Sequence, residues 1–507
     1  APAPVVKTSL VRYPESRRVN QSDDYHGTKV TDPYRWLESL DSAETRAWVE
    51  AQNKVTFGFL DQIKSRLAIK QRLTQLWNFE RYMPPTREGG RYFFARNSGL
   101  QNQNVFYTTK DLRAEPQVLL DPNALAKDGT VAVAGMVVTR DGKAAAYGLS
   151  SAGSDWQEWR VRDVATQQDQ PDVLRWIKFM PPAFTPDGKA LYYSRFPEPR
   201  PGAASLEDTN FNSKLYLHRL GTTQDKDELV YERPDHKEWL FGPAVSDDGR
   251  YLIITIAKGT DHKYQILVKD LKKKGAAITP LIGDFENEYT FIDNDGPVLY
   301  FKSDRQAPRG QVLAIDLRKP DPRAWKTIIP QAEDKLAEVS FVNNRFVASY
   351  LKDAHTQVKV FDRTGKAIGE VKLPELGTAV GFAGHREDKD TFYRFTSYTR
   401  PGSVYRLDLN TLESTLYKEP QVGFNPNDYE TTQEFFVSKD GTRVPMFITH
   451  KKGLARDGKN PTLLFGYGGF SISLTPSFSV TNLVFMERGG VYAVPNLRGG
   501  GEYGEEW

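Results

Sequence analysis

Apolar side chains recur at two different periods along the chain, and the change of period divides it. Up to about residue 80 the spacing is helical. Asp32-Pro33 offers a capping carboxylate followed by proline at a first helical position, with Tyr34, Trp36 and Leu37 as bulk for a short helix. Asp41 and Glu44 resemble a capping pair, and Trp48, Ala51, Val55 and Phe59, spaced three and four apart, predict a longer helix with one buried stripe. Ile69, Leu73 and Leu76 repeat that spacing. Short amphipathic helices do not persist alone, so this region needs an apolar partner.

From about residue 81 the helical period gives way to a turn followed by an alternating aliphatic or aromatic run. Gly89-Gly90 precedes Tyr92-Phe93-Phe94, Asp141-Gly142 precedes Ala144 to Tyr147, and Asp187-Gly188 precedes Leu191-Tyr192-Tyr193. Asp248-Gly249, Asp295-Gly296, Asn343-Asn344 and Asp388 to Asp390 introduce further runs, seven in all. Successive turns lie roughly 45–60 residues apart, room for four short strands and their loops, which predicts a seven-bladed β-propeller rather than a solenoid. The WD-repeat signature is absent.

Near Asn425-Pro426-Asn427 the pattern changes again. Thr432 to Val437 and Thr442 to Thr449 alternate around Lys439-Asp440-Gly441, a hairpin signal. Pro461 to Phe465 is a compact apolar run ending in Gly466-Tyr467-Gly468-Gly469-Phe470. Ser479 can cap a helix carrying Val480, Leu483 and Val484 and closing at Gly489, and Val491 to Val494 is the next strand. Hairpin, strand, glycine loop, helix, strand is the order in which an α/β-hydrolase sheet begins.

Composition narrows the function classes. The 507 residues carry 68 Lys+Arg against 65 Asp+Glu, a net charge of +3, which gives no nucleic-acid footprint. No apolar run reaches the length of a membrane span. The absence of cysteine removes disulfides, thiolate metal sites and cysteine nucleophiles, and suits an oxidising compartment. Ala1-Pro2-Ala3-Pro4 reads as the start of a mature exported chain or as a trimmed one. The seven histidines show no metal-ligand spacing, so neither a metal nor a cofactor is expected. No G-x-S-x-G occurs, Gly469-Phe470-Ser471-Ile472-Ser473 lacking the closing glycine.

The glycine loop after the third strand of the last region lies where such sheets place an oxyanion donor. Tyr467 offers a phenolic donor and Phe470 a flat apolar face for a substrate ring; both equally suit core aromatics at a strand end.

Taken whole, the chain resembles the prolyl oligopeptidase family of proline-specific serine peptidases. The resemblance runs through Asp24-Tyr25-His26-Gly27, Asp32 to Glu38, Glu50 to Lys54, Gly99 to Gln103, Gly153-Ser154-Asp155-Trp156 and Ser246 to Tyr251, and is most specific at Gly466 to Phe470 and Arg498 to Trp507. It implies an α/β + all-β protein in which residues 1–80 and 426–507 belong to an α/β-hydrolase domain and residues 81–425 form the inserted propeller. It implies serine-type cleavage after proline in short peptides, with Tyr467 as oxyanion donor, Phe470 as the wall that stacks on proline, and Phe179 and Leu240 as propeller residues reaching that pocket. The family's serine, aspartate and histidine fall beyond the position matching Trp507. The expectation is therefore a chain inert alone, lacking a C-terminal catalytic segment of roughly 200 residues. A monomer in the bacterial periplasm or secreted is expected, with the cytoplasm as alternative. The related oligopeptidase B family, cutting after basic residues, and an inert propeller binding module are the competing readings.

Overall fold

The structure is a computed structural model and describes residues 11–126, 128–198 and 210–507. Ala1-Pro2-Ala3-Pro4 lies outside the described residues. The chain divides into a unit ending at Gln75 and a larger one from Leu76 to Trp507.

In the first unit a hairpin pairs Ser22–Tyr25 with Thr28–Thr31, turning at His26 and Gly27, both at positive φ. The helical reading of this region missed it, because its strands are mostly exposed and show no inside-outside alternation. Asp32 accepts from Tyr34 N (3.2 Å) ahead of a short 3₁₀ turn, Arg35–Glu38. Helix α1, Ala43–Leu60, is capped by Ser42, whose hydroxyl accepts from Thr45 N (3.1 Å); Asp41, the expected cap, pairs instead with Arg46. The stripe of Trp48, Ala51 and Val55 is half-buried and Phe59 exposed, so the face expected to be buried is only partly covered. Helix α2, Arg66–Trp77, carries Ile69, Leu73 and Leu76 as anticipated, with Leu76 buried.

The second unit contains seven successive antiparallel meander sheets between Arg81 and Lys418, each built from consecutive strands. Each of the seven turns read from the sequence precedes the second strand of a sheet. Glycine or asparagine is required there: Gly142, Gly188, Gly249, Asn343 and Asn344 all take positive φ. Three of the turns share a device in which a hydroxyl donates to an aspartate two residues on, as in Thr139–Asp141, Thr185–Asp187 and Ser246–Asp248.

Core side chains lie between sheets rather than within one. Trp159 and Ile177 pack with Leu191 and Tyr193 of the following sheet, and Tyr192 and Leu215 with Phe241 and Ile254 of the next. The later sheets continue this way, to Val347 and Val360 against Tyr393 and Leu407. The seventh sheet then returns to the first: Tyr92 meets Phe392 edge-on, Tyr417 donates to Leu112 O (3.4 Å), and the Lys418 ammonium lies over Tyr82. Among the described residues this seam is made by side chains, with no strand exchanged between the two sheets.

The last sheet has the order Tyr429–Val437, Arg443–Lys451, Val491–Pro495, Thr462–Leu464. Its final pair is parallel and is joined through helix α3, Val480–Glu487, which Ser479 caps and which buries Val480, Leu483, Val484 and Met486. This crossover carries the glycine loop out of the strand Thr462–Leu464.

Candidate active site

The glycine loop is held backbone against backbone by the exit loop of the neighbouring strand. A Cβ on Gly468 would stand 2.8 Å from Arg498 O and 2.8 Å from Leu497 Cβ, and one on Gly499 would collide with Gly468 O. Ser471 N donates to Gly499 O (3.1 Å) and Ile472 N to Gly469 O (3.0 Å). Only glycine permits this approach, which explains why both loops are glycine-rich.

Tyr467 and Phe470 project from this frame. Tyr467 is half-exposed, and among the described residues its hydroxyl has no protein partner. Phe470 is 71% exposed at φ +54°, a conformation costing a bulky residue about 1 kcal/mol. Phe179 repeats the combination in the propeller region, half-exposed at φ +65°. Phe382, also at positive φ, is buried among core aromatics that compensate it; Phe179 and Phe470 lack such cover.

Phe179 and Leu240 line one cavity of about 660 Å³ together with Met180, Ala257, His262 and Tyr264. Tyr467 and Phe470 are not among its lining residues. A second, more polar cavity of about 320 Å³ opens beside the glycine loop, lined by Ser471, Ser473, Lys302, Lys335 and Glu288, and His262 borders both. The structure thus brings the expected residues together as two pairs rather than one constellation. Sequence reasoning missed His262, a lone histidine in a polar turn with no periodic or motif signal. It also missed Lys335, whose ammonium is depressed by burial and by Lys302; Lys302 itself bonds Glu288 (2.9 Å).

Two histidines sit between carboxylates elsewhere. Burial alone would lower the His218 imidazole, but Asp172 (2.9 Å) and Asp227 (2.6 Å) push it up to about 9. His385 is raised to about 10 because Asp247 (2.6 Å) and Glu88 (2.9 Å) outweigh its burial. Among the described residues no histidine ring is hydrogen-bonded to a serine hydroxyl, and no cluster of His, Asp and Glu could hold a metal. No helix there is long and apolar enough to cross a membrane.

Residues 14–420 match the family profile described as "Prolyl oligopeptidase, N-terminal beta-propeller domain". A prolyl endopeptidase of Elizabethkingia meningoseptica is 39% identical over 500 residues, spanning 99% of this chain and 70% of the relative. One from Dictyostelium discoideum is 32% identical over 566 residues, 98% of this chain and 74% of its own. Among solved structures, one from a study of two prolyl endopeptidases and their inter-domain dynamics superposes with a TM-score of 0.92 at 35% identity, covering 98% of this chain and 73% of that one. Prolyl oligopeptidase B from Galerina marginata, bound to a 25mer macrocyclization substrate, gives 0.91 at 31% identity, covering 98% and 73%.

Proposed function

This chain belongs to the prolyl oligopeptidase family, and from that premise we propose that its glycine loop serves the hydrolysis of short peptides on the C-terminal side of proline. The observation that carries the reading is the pair of exposed aromatics held at positive φ, Phe470 and Phe179. Backbone strain without core compensation is typical of sites whose geometry is set by a ligand. A proline ring is rigid and apolar, so stacking it on Phe470 costs little conformational entropy.

In this reading Tyr467 donates its phenolic O–H to the oxyanion as the carbonyl becomes tetrahedral, beside a backbone N–H. The acyl-enzyme forms on a serine whose proton passes to histidine, then to the leaving amine. In this reading the triad belongs to a C-terminal catalytic segment acting with these residues. The cavity of Phe179 and Leu240 receives the substrate on the N-terminal side of the proline. The seven meander sheets act as a seven-bladed propeller that limits entry to short chains. Residues 426–507 are the opening of an α/β-hydrolase sheet, and residues 1–80 are the N-terminal helical part assigned to the same domain. The protein acts as a monomer in the periplasm or outside the cell.

The test compares kcat/KM for paired peptides carrying Pro or Ala before the scissile bond. Phe470→Ala should shrink the Pro/Ala ratio at least about tenfold, on the scale of a lost aromatic contact. An unchanged ratio would dismiss Phe470 as the proline wall.

A further inference from the structure

Glu502 is 1% exposed, and Asn496 beside it 0%. A buried carboxylate is costly unless hydrogen-bonded. Glu502 Oε1 accepts from Leu474 N (2.8 Å) and from Asn496 Nδ2 (3.1 Å), and Asn496 Nδ2 also donates to Leu474 O (2.7 Å). Asn496 is in turn fixed to the sheet, its N donating to Pro445 O (2.9 Å).

This triangle ties together both ends of the site frame. Leu474 follows the glycine loop by a few residues, and Asn496 and Glu502 bracket the exit loop on which that loop rests. Gly500 is folded directly against the Glu502 carboxylate, where a side chain would collide with it. Gly499 in turn accepts from Ser471 N, adjacent to Phe470. A path therefore runs from the Glu502 carboxylate against Gly500, through the adjoining Gly499 and its backbone contact with Gly468, to the neighbouring Tyr467. Both fixed donors meet at Oε1 and set the register of the two loops, which an apolar side chain of similar volume would not, while Glu502 Oε2 and Asn496 Oδ1 are buried without a hydrogen-bond partner among the described residues.

We propose that Glu502 is a positioning residue for the reaction: it locks the exit loop in the register that aims the Tyr467 hydroxyl. The proposal rests on the reading of Tyr467 as oxyanion donor, and a double-mutant cycle separates the two. In the native full-length enzyme, Glu502→Ala should lower kcat about 10–100-fold with KM within about threefold, as for a misplaced oxyanion donor. Glu502→Gln keeps an oxygen for Leu474 N and should retain kcat within about threefold. In a Tyr467→Phe background Glu502→Ala should cost no more than about a further twofold, since the donor it aims is already gone.

Full additivity of the two substitutions would overturn the proposal. So would equal losses in Gln and Ala that track thermal stability. Should the Ala variant not fold, Glu502→Asp, one methylene shorter, carries the same comparison. An undiminished kcat in Tyr467→Phe alone is a different outcome: it removes the oxyanion reading, and the proposal with it.

Discussion

Phe470 and Tyr467 lie three residues apart, yet different physics sets each. Phe470 holds positive φ because Ser471 N is tied to Gly499 O and the loop cannot relax without breaking that contact. Tyr467 is placed by its neighbours, since Gly466 and Gly468 let the chain lie flat on Leu497 and Arg498. Removing only the hydroxyl tests its role cleanly, because the ring and the loop stay. Tyr467→Phe should lower kcat by roughly 10–1000-fold, the scale of one lost oxyanion donor, with the melting temperature unchanged. Steady-state kinetics on a proline peptide checks it, and unaltered turnover would dispose of the role. The glycine loop was legible as a glycine-rich run directly after a strand, but the exposure of Tyr467 and Phe470 was not, since the same pattern suits core aromatics at a strand end. Glu502 was not, because an acid in a glycine-rich segment looks like any solvated loop charge until burial is known.

At the scale of elements, the turns between first and second strands do more than reverse the chain. Those of several sheets meet in one ionic cluster. His385 from the seventh sheet bonds Glu88 of the first and Asp247 of the fourth, and Arg140 of the second approaches Glu88 (3.7 Å) and Asp247 (3.4 Å) and pairs with Glu387. Asp388 accepts from His385 N (2.8 Å) and pairs with Arg87 (3.4 Å), while burial pushes nearby Asp293 up to about 6. The imidazolium is favoured in the folded state, its pKa about 10 against about 6.5 unfolded. Its contribution is therefore complete below about pH 6.5, falls as pH rises, and is lost above about pH 10. His385→Gln should lower the melting temperature more at about pH 6 than at about pH 9, and a pH-independent difference would refute the clasp. Six of the seven turns were legible because their backbone takes positive φ at Gly or Asn. The cluster was not, since its members are scattered over some 300 residues of sequence and look like surface charges one at a time.

For the whole molecule, the repeat of sheets was legible from turn spacing, whereas the seam between first and seventh sheets was not. It rests on Tyr92, Phe392, Tyr417 and Lys418, which in sequence are ordinary strand residues. The first unit was the least legible, since its exposed hairpin leaves no periodic trace. The site itself reads as two halves, a propeller-region cavity of about 660 Å³ and an exposed aromatic loop, which a bound peptide would span. The central claim is that they act on one proline-containing chain. Cleavage-site mapping by mass spectrometry tests it most directly, with the native enzyme acting on a mixture of short unlabelled peptides and one folded protein. The account predicts cuts after proline in the short peptides and an intact folded protein; cuts after lysine and arginine, or none at proline, would contradict it.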